Sequence, residues 1–210
     1  ISMDCEAYYH DDENSIPCDL YFADLDGTWD GDGDHTYGEI TDGVDLMPDV
    51  FVGRAPVTTP GNTQTFINKV LTYEKNPEPG YLLEMVFMAE ILWRNPYTDQ
   101  GISMDALQEA FVPPRFNVTK LYERDGTETR TSVLNALNEG KHFVNHDGHA
   151  WYHIMAVGTG DIGRPDMDLL TNAPRYSIMY SIGCWQAALD FDCIAEHFVL
   201  SPGGGGVAAI

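Results

Sequence analysis

The sequence predicts an α/β fold with a mainly parallel central sheet, and three observations predict it. Apolar runs of strand length alternate with helix-length amphipathic segments, the order that lays strands side by side in parallel. Residues 176–182 hold five β-branched, aromatic or Met residues in seven, which suits a strand covered on both faces. The 210 residues are 43% hydrophobic, enough for one sizeable core.

Taken in order, residues 1–17 are polar and turn-rich and read as an acidic surface segment, with the domain proper over 18–210. Residues 19–23 read as a strand that runs into an Asp/Gly turn, and residues 49–53 as a second short strand. Residues 60–74 predict a helix, with Thr59 as cap, Pro60 at the first helical position and Phe66, Ile67, Val70 and Leu71 on its apolar face. The apolar run 82–91 predicts a strand ending near Glu90. A short helix follows over 103–111, capped by Ser103, then a strand over 116–121. Residues 131–138 predict a helix closed by Gly140. A strand over 142–145 turns out through Asp147-Gly148-His149, and 155–165 reads as a glycine-rich loop. A helical turn over 166–171 precedes the strand 176–182, a helix covers 192–200, and four glycines lead to a last strand over 207–210.

Charge excludes some partners. Thirty-three acids face 11 Lys plus Arg, for a net charge of −22. Such a surface repels nucleic acid and anionic membrane, so no nucleic-acid partner is expected. No stretch approaches the ~18 apolar residues of a membrane span. Residues 1–50 hold 12 Asp and 3 Glu, and Arg54 is the first Lys or Arg. In Asp24-Leu-Asp26-Gly-Thr-Trp-Asp30-Gly-Asp32-Gly-Asp34, followed by Glu39, tight turns aim several carboxylates at one centre, as a hard cation requires. We expect structural calcium there, although the spacing is not an EF-hand, since Thr41 stands at position twelve counted from Asp30. A solvated, salt-adapted acidic turn is the plain alternative. Cys5 and Cys18 flank a polar loop and are candidates for a disulfide, which would fit an exported protein. The chain starts at Ile1 without an initiator Met and stops at Ile210 after an apolar run, so a longer parent chain is expected.

In parallel sheets, ligands collect at the carboxyl ends of the strands. Glu90, His149 and Cys184 all fall at predicted strand ends. A carboxylate, an imidazole and a thiol on one rim are the parts of a cysteine hydrolase. Backbone N–H groups near Gly148 or Cys184 could hold an oxyanion. Trp29, Trp151 and Trp185 read as structural or pocket-wall aromatics, and Cys193 as core packing.

Several segments then carry a resemblance. Asp19-Leu-Tyr-Phe-Ala-Asp-Leu-Asp-Gly, Pro48-Asp-Val-Phe-Val-Gly-Arg54-Ala-Pro-Val, Asn145-His-Asp-Gly148-His149, Ser181-Ile-Gly-Cys184 and Asp192-Cys-Ile-Ala-Glu196 together resemble the gingipain-type (family C25) caspase-fold cysteine peptidases, from about residue 18 to the end. The resemblance implies a caspase-like three-layer sandwich and hydrolysis of protein or peptide substrates. It implies Cys184 as nucleophile, His149 as general acid/base and Glu90 as the carboxylate that supports the histidine. Asp105 falls near the place where arginine-specific members hold a basic substrate residue, which implies cleavage after Arg or Lys. Gly148 and Trp185 would then line the substrate site. The family continues past the point matched by Ile210, which implies a downstream segment or second chain completing the fold. It also implies an extracellular or cell-surface setting.

Two rival readings stay open. His142, His146, His149 and His153 crowd one segment and, with Asp147, could hold the metal of a hydrolase. Alternatively, the same fold could serve as a calcium-stabilised surface or secretion module without activity.

Overall fold

The computed structural model describes residues 2–3 and 16–210, and these fall into two compact units, Ile1–Ala55 and Pro56–Ile210. The segment 1–17 and the expected Cys5–Cys18 pairing lie almost wholly outside the described residues.

In the first unit, β1 (Ser2–Met3) pairs antiparallel with β2 (Ile16–Pro17), and α1 (Leu20–Ala23) is a single helical turn. The strand expected over 19–23 is therefore this turn of helix, closed when Asp24 N–H donates to Leu20. The strand expected over 49–53 is irregular. Asp49 and Val50 both donate their N–H to the Ala23 carbonyl, which spends them away from any ladder.

The second unit is a three-layer α/β sandwich. Five strands, β3 (Glu84–Ala89), β6 (Asn117–Tyr122), β7 (Phe143–Asp147), β11 (Ser177–Ile182) and β12 (Gly206–Ala209), form one sheet in the order β12-β11-β7-β3-β6. All four pairings are parallel. Alternate residues of β3 face opposite layers: Val86 and Met88 enter the larger core, Phe87 and Ala89 the smaller one. The larger core takes residues from α2 (Pro60–Lys75), α4 (Arg130–Glu139), α5 (Arg164–Asp168) and α6 (Ile194–Leu200). The smaller is closed by Met104 and Leu107 of α3 (Gln100–Phe111).

Helix starts follow the expected chemistry. Thr59 accepts from Asn62 N–H at α2, and Thr129 from Ser132 N–H at α4. Helix α3 starts earlier than expected, because the Asp99 carboxylate accepts from Gly101 N–H and caps it in place of Ser103. Two further pieces are additions to the predicted plan. A hairpin, β4 (Ile91–Arg94) and β5 (Tyr97–Asp99), follows Glu90. A small antiparallel sheet of β8 (Ala150–Trp151), β9 (Ile154–Val157) and β10 (Gly160–Gly163) replaces most of the loop expected over 155–165.

The topology places a crevice. From β3 the chain crosses over α3 to the edge strand β6, then returns over α4 to β7 on the other side of β3. Strand order reverses between β3 and β7, with covering helices on opposite faces, so ligands are expected beyond those two carboxyl ends.

Candidate active site

Register puts the predicted residues in one row. Ile182 lies level with Asp147, Asp147 with Ala89, and Ala89 with Tyr122 across four adjacent strands. Each chain leaves the sheet at that level. Cys184 comes two residues after β11, His149 two after β7 and Glu90 one after β3. Neighbouring strands stand about 4.8 Å apart, so this is one continuous rim.

Cys184 is exposed on the turn after β11. Trp185 follows in the left-handed region at φ 61°, a costly conformation for a bulky side chain, and it turns the chain sharply behind the thiol. Its ring stacks on Trp151 of β8 at 4.6 Å between centroids, with Phe191 at 5.6 Å. The loop that carries the cysteine is thus fastened to the strand that follows the histidine.

His149 is held at three points. Its N–H donates to Glu90 Oε2 at 2.6 Å, and its carbonyl accepts from Ala156 N–H of β9 at 2.9 Å. Its Nε2 donates to the Leu92 carbonyl of β4 at 3.1 Å, since a carbonyl can only accept. That bond fixes the Nε2–H tautomer and leaves Nδ1 as the basic nitrogen. Trp93 packs edge-on against the ring at 5.0 Å. Among the described residues no hydrogen bond yet joins Cys184 to His149, and such bonds often tighten only when substrate is bound.

Glu90 acts on the histidine's backbone rather than on its ring, a different contact from the expected one. The carboxyl is 5% exposed. Burial raises its pKa, opposed by the bond from His149 N–H. Gly148 is required where it stands: a Cβ there would lie 2.7 Å from Glu90 Oε2 and from His146 Nε2. The N–H groups of Gly148 and Cys184 have no backbone acceptor among the described residues, so both can serve an oxyanion.

Asp105 does not supply a free acid. Its carboxylate accepts from Lys120 Nζ at 2.6 Å and Tyr122 OH at 3.1 Å, and pairs with Arg124. Lys120, then Arg124, hold its pKa down to about 2. Two cations from β6 and the turn after it neutralise the charge that a basic substrate residue would need.

The four histidines do not converge. His142 bonds the Leu82 carbonyl at 2.8 Å and Tyr73 OH at 2.6 Å. Buried His146 bonds Ser181 Oγ at 2.8 Å and the Ala156 carbonyl at 3.3 Å, and burial pulls its pKa down to about 4. Every group of three or more potential metal ligands among the described residues is made of carboxylates in the first unit.

Those groups are Asp24, Asp26 and Asp49; Asp30, Asp32 and Asp42; and Asp32, Asp34 and Glu39, each with oxygens within 4.8 Å of one another. All the donors are hard oxygens, as calcium requires. Asp42 and Asp49 join the set although they lie well downstream of the Asp/Gly turn, so local spacing could not reveal them. Several of these carboxylates also tie the backbone: Asp24 accepts from Gly27 N–H and Trp29 Nε1–H, and Asp42 from Gly31 and Glu39 N–H.

With this geometry in hand, comparison with known proteins is specific. The profile of peptidase family C25 matches residues 4–210. Gingipain R2 and gingipain R1 of Porphyromonas gingivalis are each 28% identical to this chain over 171 residues, 78% of its length, and the match covers 23% and 17% of those proteins. The crystal structure of the Arg-specific cysteine proteinase gingipain R superposes with a TM-score of 0.74 at 21% identity, covering 93% of this chain and 43% of that one. A complex of Porphyromonas gingivalis pro- and mature domains gives a TM-score of 0.63 at 23% identity, over 78% of this chain and 40% of that one. The chain therefore spans under a quarter of the curated relatives and under half of the solved structures.

Proposed function

The chain belongs to peptidase family C25, and from that membership we propose that it carries the catalytic centre of a cysteine endopeptidase. The observation that carries this reading is the shared level at which β11, β7 and β3 end, which brings thiol, imidazole and carboxylate to one rim. His149 Nδ1 takes the Cys184 proton. The thiolate attacks the peptide carbonyl, and the N–H groups of Gly148 and Cys184 stabilise the resulting oxyanion. The imidazolium returns its proton to the departing amine, and the thioester is hydrolysed by water that His149 activates. Glu90 holds the histidine's backbone.

Substrates are proteins or peptides. Cleavage after Arg or Lys is a proposal supported by a solved relative described as Arg-specific, but Asp105 is paired with cations, so another acid has to receive the base. A downstream segment or second chain that completes the cleft, an extracellular or cell-surface setting and structural calcium in the first unit belong to the same proposal. The carboxylate trios support the calcium.

A panel of fluorogenic peptides differing at the cleaved residue tests the reading. Cys184→Ala and His149→Ala should each abolish turnover with an unchanged far-UV circular dichroism spectrum. Near-normal turnover by either variant would overturn the mechanism, and no turnover by the wild type under reducing, calcium-containing conditions would favour a non-catalytic module.

A further inference from the structure

We propose that Glu123 is a positioning residue for His149, acting through a clamp on the hairpin strand β4. The inference rests on the reading of His149 as the catalytic base. Tyr122 ends β6 level with Ala89, so Glu123 emerges beside Glu90 as the fourth member of the row. Its carboxylate does not touch the histidine. Oε2 accepts from Ile91 N–H at 2.8 Å, and Oε1 accepts from Arg94 Nη2 at 2.6 Å. Between those two residues lies Leu92, whose carbonyl receives His149 Nε2–H.

The strand is irregular at that point. In the hairpin Ile91 pairs with Asp99 and Trp93 with Thr98, and the register slips between Ile91 and Trp93. Leu92 is the extra residue of a bulge, and such a residue is left out of the ladder and can re-aim its groups. That leaves its carbonyl available to the imidazole. A bulge has little to hold it, and Glu123 supplies a grip on either side. The glutamate side chain is only 11% exposed and its bond to Ile91 N–H is partly shielded from water, whereas Arg94, on the other side, is 73% exposed, so the Ile91 bond is the firmer half of the grip. Trp93, the next residue of β4, packs on the same ring. A shift of β4 would therefore move both the acceptor that fixes the tautomer and the wall that fixes the ring plane.

Glu123→Ala should lower kcat by about tenfold or more while KM changes by less than about threefold, since a small misplacement of a catalytic group acts on the chemical step. Alkylation of Cys184 by iodoacetamide should slow. The ring 15N shifts of His149 should change from one Nε2–H tautomer to a mixture. Glu123→Gln keeps an oxygen for Ile91 N–H and should recover most of the lost kcat. If Glu123→Ala does not fold, Glu123→Asp, one methylene shorter, carries the same expectation. A folded Ala or Asp variant with wild-type kcat and an unchanged His149 tautomer overturns the clamp. His149→Ala separates the two readings. If it is inactive while Glu123→Ala is fully active, the clamp alone fails; if it stays active, the catalytic reading fails and the clamp with it.

Discussion

Glu128 turns its carboxyl into the interior at 2% exposure, and among the described residues neither oxygen makes a well-formed hydrogen bond, Gly158 N–H being only a weak neighbour. Burial, then the charges of Glu90 and Glu123, push its pKa up to about 9. Between the ordinary value of 4.5 and about 9 the folded protein holds a proton that the unfolded chain has released. Stability from this group is fully present below 4.5 and is lost as pH rises towards 9. By pH 7 the loss is about 3 kcal/mol. Glu128→Gln, neutral at every pH, should therefore lose less stability than wild type between pH 5 and 8 in urea unfolding, and parallel curves would show that the acid is not held protonated. Repulsion among the many other carboxylates acts on both proteins alike, so their difference isolates the site. In the sequence Glu128 is only an acid beside the helix cap Thr129, and nothing local marks it. The cations beside Asp105 were hidden for a related reason, because Lys120 and Arg124 reach it only once β6 and the turn after it lie beside α3. The placing of Cys184 and His149 just beyond strand ends was legible, since an apolar strand run into a Gly-Cys or Gly-His turn leaves a local motif.

Helix α6 ends with its carbonyls turned towards a buried lysine. Lys69 of α2, 2% exposed, donates Nζ–H to the carbonyls of Val199 at 2.7 Å, Ser201 at 3.2 Å and Phe198 at 3.4 Å. Among the described residues no carboxylate pairs with it, and burial lowers its pKa to about 7, so the negative end of the helix is what favours its charged form. Lys69→Met keeps the stem but strands those carbonyls, each of which costs about 1–3 kcal/mol if left buried and unpaired. We expect a clear fall in the urea midpoint, and an unchanged midpoint would show that the cap contributes nothing. The helices and sheet strands of this unit were legible as elements because each shows its period over a full length. Short pieces were not. Within residues 19–23 the apolar run Leu20–Ala23 is too brief to separate a strand from a turn of helix. The apolar run through Glu90 continues without a marker into β4, and the glycines of 155–165 concealed β9 and β10. The hairpin matters most, since it carries the acceptor for His149.

The whole molecule divides its charge unequally. Residues 1–55 contain 12 Asp and 3 Glu against one Arg, so about a quarter of the chain carries fourteen of the 22 net negative charges. The described residues of that unit form little regular structure, and much of their backbone is tied by the same carboxylates that gather in trios. Without cations these trios repel, whereas an ion bound only by the folded state would stabilise it by about 2.7 kcal/mol at a hundredfold excess over Kd. Chelation should therefore lower the melting of this unit. It should leave the alkylation rate of Cys184 nearly unchanged, because every carboxylate trio among the described residues lies in residues 1–55 and the rim does not. Added sodium chloride should restore only part of the loss, since screening weakens repulsion without supplying a ligand shell. Identical melting profiles with and without chelator would remove calcium from the account and leave the trios as hydrogen-bonded turns. A chelator that instead slowed Cys184 alkylation in step with the melting shift would tie the acidic unit to the chemistry at the rim.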